Sequence, residues 1–366
     1  MTQINKRRDF VKLLALTGLS LYLPACTSDE RKKQSNSKKI KEKDPDSEIE
    51  EAIKSNNVTY LKKSDEPFDE LNQGFNLAAG KVPALIALCM NTQGVSEAIM
   101  FARKEGLKVA VKSGGHSFEN FSSIDDGLQI NLSLMNEVKW VDQTTVSIQP
   151  SCTLREMYDA LLPNNRIIPT GSCGGVGVGG ITLGGGYGFF ARKYGLTCDA
   201  VKEITFVDGT GEIHQVKRGE ELMWALKGGG NGNFGVVSEF TFKTLPAPES
   251  FTRHRFKAYK LDKPRTKELL QTYFNYSKEL PESCFAAFVL NYKTLVLLIT
   301  NYGPKNEALD NMIKAFSEIC DDVSIGTPKN LAESLRNYYG IEYPIYFKNA
   351  SAGYYENYET IASSID

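Results

Sequence analysis

The chain has 366 residues, of which 41% are hydrophobic and 24% are charged. This composition is typical of a globular protein, and the length is sufficient for two domains of ordinary size. The 43 basic and 44 acidic residues give a formal net charge of −1, which excludes recruitment of nucleic acid by a global positive field. We therefore expect no nucleic-acid partner.

The first 26 residues have the layout of an export signal. The basic patch Lys6-Arg7-Arg8 precedes a mostly apolar run, 11–23, that is too short to span a bilayer. The arginine pair followed by Phe10 is similar to a twin-arginine signal. Leu23-Pro24-Ala25-Cys26 is similar to a bacterial lipobox, in which Cys26 carries the lipid. We expect an exported protein attached to the bacterial cell envelope by a lipid anchor only; the alternative is a plain signal peptide with an incidental cysteine.

Residues 27–66 are rich in Lys, Glu, Asp and Ser and contain few large apolar side chains. Such a segment cannot bury enough apolar surface to fold alone, so a solvated tether is expected here.

The chain contains seven cysteines, and six remain when Cys26 is set aside. An even number in an exported protein is compatible with disulfides, but we expect most of the six to be buried thiols. Their spacing contains no CxxC pair, so no metal site is expected.

From about Asn76 the hydrophobic pattern becomes dense. Short apolar or alternating runs predict strands at 83–89, 109–112, 128–132, 146–149, 204–207, 212–216 and 236–242. Helices are predicted over 94–105, with Thr92 as the cap, and from Thr153 through Leu161. The tetrapeptide Asp208-Gly209-Thr210-Gly211 lies between two strand-like runs and indicates a hairpin. This order of elements is typical of an α+β fold.

A change of pattern follows about Pro246. Predicted helices at 265–278 and 306–319 alternate with the predicted strand pair 284–291 and 294–301. We therefore predict a first folded domain over 67–247 and a second, built of a sheet and helices, over 248–366.

Three glycine-rich segments stand out, at 112–117, 171–188 and 227–235. Glycine allows tight turns and close approach of the backbone to a ligand, and successive backbone N–H groups form concave anion sites. We therefore expect these segments to bind a diphosphate group. The Rossmann fingerprint does not match, because it opens a helix directly after its glycines and no helical pattern is evident after 177–188.

Residues 76–246 resemble the FAD-binding domain of the vanillyl-alcohol-oxidase superfamily, and more narrowly the berberine-bridge-enzyme-like flavoproteins. The motifs that carry the resemblance are Ser113-Gly114-Gly115-His116-Ser117, Gly171-Ser172-Cys173, Val176-Gly177-Val178-Gly179-Gly180, Leu183-Gly184-Gly185-Gly186-Tyr187-Gly188 and 228–237. The resemblance implies an α+β fold with a PCMH-type, two-subdomain FAD-binding domain, followed by an incomplete substrate domain of antiparallel sheet and helices.

The resemblance also implies roles for individual residues. His116 matches the histidine that is bonded to the 8α-methyl group of the flavin, and Cys173 matches the cysteine that some members add to flavin C6 as a thioether. The backbone of 113–117 is expected to hold the diphosphate, 177–188 to line the flavin, and 235–237 to meet the adenosine side. The complete set of predicted cofactor-binding residues is His116, Cys173, Lys112, Ser113, Gly114, Gly115, Ser117, Gly171, Val176, Gly177, Gly180, Gly184, Gly185, Tyr187, Gly188, Gly235, Val236 and Val237.

The implied activity is hydride transfer from a substrate C–H bond to covalently bound FAD. Carbohydrate hydroxyls are the first choice of substrate, and a polyphenol, aromatic alcohol or other secondary metabolite is the second. Val176 occupies a position where the family carries a small valine when O2 reaches the reduced flavin, which favours an oxidase that forms hydrogen peroxide. The alternatives are a dehydrogenase that uses a quinone or redox protein, and an inactive flavin-binding protein.

The sequence departs from the family pattern in three places. Most relatives have Cys-Pro-Thr where this chain has Cys173-Gly174-Gly175, and many have a tyrosine where this chain has Phe118. Relatives also continue beyond the segment that corresponds to 346–349, and that further part supplies their acid/base residue. We therefore expect a fragment or a truncated gene product, and no catalytic residue is assigned.

Overall fold

The computed structural model describes residues 55–336. The predicted export signal, the predicted lipidation site Cys26 and residues 337–366 lie outside this range. The strands are β1 Val58–Leu61, β2 Leu85–Cys89, β3 Val109–Lys112, β4 Leu128–Asn131, β5 Val138–Trp140, β6 Thr145–Ile148, β7 Arg166–Ile167, β8 Val201–Asp208, β9 Ile213–Lys217, β10 Gly235–Lys243, β11 Leu245–Pro246, β12 Ser250–Ala258, β13 Cys284–Asn291, β14 Thr294–Asn301, β15 Asp322–Ser324 and β16 Lys329–Asn330. The helices are α1 Phe68–Asn72, α2 Thr92–Lys104, α3 Leu154–Leu161, α4 Val178–Leu183, α5 Ala191–Tyr194, α6 Glu221–Gly229, α7 Lys263–Ser277, α8 Glu307–Ile319 and α9 Leu331–Arg336.

The first sheet has the strand order β1-β2-β4-β3. Strand β4 runs parallel to both β2 and β3, whereas β1 is antiparallel to β2. Helix α2 buries Val95, Ala98 and Ala102 in one core with the apolar side chains of this sheet. This small parallel unit places the C-terminal end of β3, and therefore the first glycine-rich segment, at the edge of a packed core.

The second sheet is antiparallel, with the order β5-β6-β10-β8-β9. Strands β8 and β9 form the predicted hairpin around 208–211. Helix α3 packs its apolar face into the core of this sheet, and a capping box formed by Thr153 and Glu156 begins the helix. The predicted helix from Thr153 through Leu161 is therefore confirmed.

Strand β10 joins the two subdomains. Because side chains alternate along a strand, Val236 packs into the core of the first sheet while Val237 packs into the core of the second. The two sheets are therefore fixed relative to each other by one continuous strand that is buried on both sides.

The third sheet has the order β13-β14-β12-β15, with β16 paired to β12, and all of its pairings are antiparallel. Helices α7 and α8 cover it with Leu269, Met312 and Phe316. The observed strands match the predicted pair 284–291 and 294–301, and the helices lie within two residues of their predicted bounds. The α+β fold with a two-subdomain first part and a sheet-and-helix second part is confirmed.

Arg192 connects the two parts. Its guanidinium donates hydrogen bonds to the backbone carbonyls of Leu280, Pro281 and Cys284 over 2.8–3.1 Å. Because Arg192 lies in α5, directly after the second glycine-rich segment, that segment is tied to the beginning of β13.

Three predictions about local structure are wrong. The predicted tether ends too late, because 58–61 form β1 with Val58 and Tyr60 buried; the average composition of 27–66 hides this short alternating run. The cap of α2 is Asn91 rather than Thr92, since the Asn91 side chain accepts a hydrogen bond from Gly94 N at 3.0 Å.

The third concerns the second glycine-rich segment, where 178–183 form a helical turn despite their glycines. The first two N–H groups of this turn, from Val178 and Gly179, donate to the carbonyls of Cys152 and Pro150 at 2.8 Å. Tertiary contacts therefore override the low helix propensity of glycine here.

Within 55–336, no helix is long and apolar enough to cross a membrane.

Candidate functional site

The first and second glycine-rich segments are in direct contact. A methyl group placed on Gly114 would lie 2.4 Å from Gly177 N, and one placed on Gly177 would lie 2.6 Å from Gly114 N. No side chain fits between two backbones at that separation, so both residues must be glycine for the segments to meet. Residues 63 positions apart in the chain (177 − 114 = 63) thus form one surface.

The second and third segments also touch each other. A methyl group on Gly184 would lie 2.8 Å from Asn231 Nδ2, and one on Gly230 would lie 2.8 Å from Leu183 Cδ2. Gly230 N donates to Leu183 O at 3.3 Å. The three segments predicted from the sequence therefore converge in one continuous backbone surface.

For two positions of this surface, neither packing nor backbone conformation in the described residues explains why the residue is glycine. A methyl group on Gly180 or on Gly229 would meet no atom within 4 Å, and neither residue has a positive φ. Glycine at such positions fits a ligand that passes close to the backbone.

His116 follows the positive-φ residue Gly115 at the end of the first segment. Its imidazole stacks on Phe75, with ring centroids 3.8 Å apart and the ring planes 16° from parallel. The Nε2 atom is buried and has no hydrogen-bond partner among the described residues. Burial lowers the pKa of His116 below its ordinary value, so the ring is neutral at pH 7. A neutral, half-buried imidazole with an unpartnered nitrogen is a suitable nucleophile.

Phe75 is a site residue that the sequence analysis missed. It belongs to 71–76, which we call the strap, and the strap lies against the first glycine-rich segment. Phe75 N donates to Gly115 O at 2.9 Å, and Asn76 Nδ2 donates to Phe118 O at 2.7 Å. The strap has no glycine cluster or periodic pattern that signals ligand binding, so only the tertiary contact identifies it.

Lys112, a predicted cofactor-binding residue, directs its side chain at the strap. It is only 8% exposed, and its ammonium group donates to the carbonyls of Leu71 and Gln73, the latter at 2.7 Å. Burial lowers the pKa of Lys112 to about 8. The Lys112 side chain also lies under Gly115, where an added methyl group would approach Lys112 Cε to 2.7 Å. Lys112 therefore supports the turn that presents His116.

Cys173 lies in an exposed turn and is a free thiol. The turn is attached to the beginning of α3, because Arg155 N donates to Gly174 O at 3.1 Å and Leu154 N donates to Val176 O at 2.9 Å. Loop carbonyls thereby satisfy N–H groups that have no partner within the helix. The described cysteines are all free, and burial raises the pKa of Cys89 and Cys152 to about 12. The prediction that most of them are buried thiols is confirmed for the described part of the chain.

The remaining residues predicted to line the cofactor fall into two groups. Near the second segment, Val176 packs against the second core, Tyr187 is 73% exposed, and Gly188 lies so close to Thr170 O that a methyl group would approach it to 1.9 Å. The first and second glycine-rich segments also contain four further predicted residues, Ser113, Ser117, Gly171 and Gly185. Ser117 Oγ accepts a hydrogen bond from Phe121 N at 3.2 Å.

At the third segment, Gly235, Val236 and Val237 begin β10. A methyl group on Gly235 would meet Val207 O at 2.3 Å, and both valines are buried in the cores. Their side chains are used in packing, so only backbone atoms of this group are able to meet a ligand.

The other two histidines lie away from the glycine surface. His214 belongs to the hairpin strand β9 and bonds Asp208 Oδ2 at 2.8 Å, while His254 is buried in β12. The Nδ1 atom of His254 is also buried without a hydrogen-bond partner among the described residues, and burial lowers its pKa as well. Position on the glycine segments is therefore what distinguishes His116 from the other two histidines.

Comparison with known proteins identifies the domain to which these segments belong. Residues 83–217 match the model of the FAD binding domain. An FAD-linked oxidoreductase of Dictyostelium discoideum is 33% identical over 255 residues, which are 68% of this chain and 55% of that protein. The chitooligosaccharide oxidase of Gibberella zeae is 39% identical over 183 residues, which are 49% of this chain and 37% of that protein.

Among solved structures, glucooligosaccharide oxidase from Acremonium strictum superimposes with a TM-score of 0.72 at 27% identity, covering 79% of this chain and 64% of that chain. The chain spans about half the length of the curated relatives it matches.

The fold, the converging glycine segments and the domain match define a flavoprotein with an FAD-binding domain built on its first two sheets. The chain contains an FAD binding domain and is similar to berberine-bridge-enzyme-like proteins and to FAD-linked oxidoreductases. The residues present fit this cofactor: the open faces of Gly180 and Gly229 leave room for a ligand against the backbone, and the unused Nε2 of His116 is chemically suited to flavin attachment.

Proposed function

We propose that this protein oxidises a carbohydrate hydroxyl by hydride transfer to an FAD that is covalently attached at His116 and also at Cys173. The single observation that carries the proposal is the half-buried imidazole of His116, with a buried and unpartnered Nε2, on a surface made by three glycine-rich segments. Relatives named as chitooligosaccharide and glucooligosaccharide oxidases support the choice of substrate class.

The double attachment has a precedent in a similar structure. In the glucooligosaccharide oxidase from Acremonium strictum, the cofactor is a 6-S-cysteinyl, 8α-N1-histidyl FAD. In this chain, Cys173 is exposed and free and therefore able to react, whereas Cys89, Cys152, Cys198 and Cys284 are buried. His116 and Cys173 lie on segments that meet through Gly114 and Gly177.

FAD, when bound, supplies the redox chemistry by accepting the hydride from the substrate. The residues of this chain would hold and orient it: the backbone N–H groups of 113–117 would bind the diphosphate, and His116 would fix the ring. We propose O2 as the electron acceptor, with Val176 leaving room for its approach. A Val176→Leu variant is expected to react more slowly with O2 while its reduction by substrate is unchanged; equal O2 reactivity of the two proteins would favour a quinone or redox-protein acceptor.

We also propose that the protein is exported and attached to the cell envelope by a lipid on Cys26. The paired arginines Arg7 and Arg8 and the lipobox-like run ending at Cys26 support this proposal. Labelling cells with a fatty acid tests it: the wild-type protein should carry the label, and Cys26→Ala should not.

The cofactor proposal is tested on protein denatured with acid. The intact mass should include FAD, and the yellow colour should remain with the polypeptide. The Cys173→Ala variant should keep histidine-linked FAD, whereas the double variant His116→Ala/Cys173→Ala should carry none. A wild-type protein that releases all of its flavin on denaturation would contradict the proposal.

The substrate proposal is tested by adding mono- and oligosaccharides to the yellow protein without oxygen. Bleaching of the flavin by a sugar, followed by hydrogen peroxide formation when air is admitted, is the expected result. Bleaching by aromatic alcohols alone would show that the substrate is an aromatic alcohol rather than a carbohydrate. A protein fully loaded with flavin that no compound bleaches would indicate a flavin-binding protein without activity.

A further inference from the structure

The strap is held in place from several directions. In addition to the hydrogen bonds from Lys112, the carbonyl of Leu71 accepts one from Asn131 Nδ2 at 3.0 Å. The Asn72 side chain accepts hydrogen bonds from Ser123 Oγ at 2.7 Å and from Gln129 Nε2 at 3.1 Å. These donors come from β3, β4 and the loop before β4, so the strap is anchored to the parallel sheet rather than to solvent.

The anchored strap presents one aromatic face to His116. Phe75 is 8% exposed, and its ring lies parallel to the imidazole at a centroid distance of 3.8 Å. The hydrogen bond from Phe75 N to Gly115 O, 2.9 Å long, fixes the backbone that carries the ring to the residue next to His116. Ring and backbone together restrain the imidazole, whose Nε2 is buried and unpartnered among the described residues.

We propose that Phe75, anchored through the strap by Lys112, is a positioning residue that aligns His116 for covalent attachment of the flavin. The inference rests on the proposed function, because it concerns how the proposed bond is formed. Restraint of the nucleophile favours attachment, because every unproductive orientation of the imidazole reduces the fraction of encounters with the flavin that can react.

One C–N bond forms between the imidazole and the 8α-carbon, while one C–H bond of the methyl group and the imidazole N–H bond are broken. The two electrons and two protons remain on the isoalloxazine ring, and O2 then removes them as hydrogen peroxide. Phe75 takes no part in these bond changes, so its role is confined to the orientation of the imidazole.

The test uses three changes in otherwise complete protein. Phe75→Leu keeps an apolar side chain but removes the stacking face, and Phe75→Tyr restores that face. Phe101→Leu is the matched control, because Phe101 is a partly buried aromatic residue of the same subdomain that packs at a tilt against Tyr60 instead, with ring planes at 46°. Each protein is produced without flavin in a riboflavin-starved host, mixed with FAD, and quenched with acid over time.

We expect Phe75→Leu to form acid-stable flavin roughly 10- to 100-fold more slowly than wild type. Phe75→Tyr and Phe101→Leu should attach flavin at the wild-type rate. The affinity for FAD is measured separately in a His116→Ala/Cys173→Ala background, where it should change less than about threefold on addition of Phe75→Leu, because the proposed role of Phe75 acts only through the imidazole that this background lacks.

Equal attachment rates for Phe75→Leu and wild type would overturn the inference. A loss of FAD affinity as large as the loss of rate would also overturn it, because Phe75 would then be a general structural residue. A wild-type protein that binds FAD without any acid-stable bond would instead refute the proposed function, and the inference would fail with it. The two failures are therefore distinguishable in the same set of measurements.

Discussion

The two predicted attachment points are prepared in different ways. His116 is half-buried, stacked on Phe75 and supported from below by Lys112, whereas Cys173 is exposed in a turn that contains two further glycines. The histidine is thus fixed before any ligand arrives, and the cysteine is accessible and less constrained. On the proposed double attachment, we expect from this difference that the histidine bond forms first and that the thioether follows.

The largest effect is expected in the reaction rate of the Cys173 thiol, which tests whether this attachment point is accessible. In folded, flavin-free protein, Cys173 should react with a disulfide reagent on the order of 100-fold faster than the buried thiols, because burial suppresses thiolate formation. Burial raises the pKa of Cys284 and Cys320 to about 11, which keeps them unreactive at pH 8. The reaction is followed by absorbance, and the fast phase should be absent in Cys173→Ser. A fast phase that survives this substitution would show that Cys173 is not the accessible thiol.

The contact between the two attachment segments gives the next effect. Gly114→Ala should lower the free energy of unfolding by about 1–3 kcal/mol, because its methyl group would overlap the backbone of Gly177 and force the segments apart. Urea unfolding of flavin-free protein measures the change.

Gly180→Ala is the matched control for Gly114→Ala. A methyl group on Gly180 meets no protein atom within 4 Å, so stability should be unchanged or should rise by up to about 1 kcal/mol. The same variant should bind FAD more weakly if the cofactor lies against this backbone. Similar loss of stability in both variants would mean that the segments do not meet at Gly114.

The buried Lys112 beneath His116 is expected to make the free energy of unfolding depend on pH, by a smaller amount than the preceding effects. The pKa of Lys112 is about 8 in the folded protein and 10.5 when unperturbed, so the unfolded chain binds more protons between these values. The stability contributed by Lys112 is therefore complete above pH 10.5 and is lost as the pH falls through about 8. From pH 7 to pH 9, the free energy of unfolding of wild type should rise by about 1 kcal/mol relative to Lys112→Met.

Comparison with Lys112→Met cancels the titration of the other groups, including Cys89 and Tyr60, whose pKa values are raised by burial. Urea unfolding of flavin-free protein at several pH values provides the data. A difference that stays flat over this interval would show that the Lys112 amine is not buried beneath the turn.

Much of the fold was predictable because local patterns and tertiary structure agree. The hairpin around 208–211, the helix that begins at Thr153, and the strand pair 284–291 and 294–301 each have a clear periodicity and a clear turn or cap. The short strand 58–61 was missed because four alternating residues are outweighed by their charged surroundings, and its stability comes from pairing with β2.

The candidate site was predictable only in part. His116, Cys173 and the glycine segments carry a family motif and were named from the sequence alone. The contact of Gly114 with Gly177 was not predictable, since it depends on two loops that are distant in the chain. Phe75 was missed for the same reason: nothing in its neighbours indicates a ligand, and its meaning comes entirely from the ring it faces.

The most direct measurement is tandem mass spectrometry of a protease digest of the acid-denatured, yellow protein. The account predicts that the flavin is found on the peptide that contains His116, joined through the same flavin to the peptide that contains Cys173. A colourless protein that takes up no flavin, or a flavin bonded to neither residue, would contradict the account.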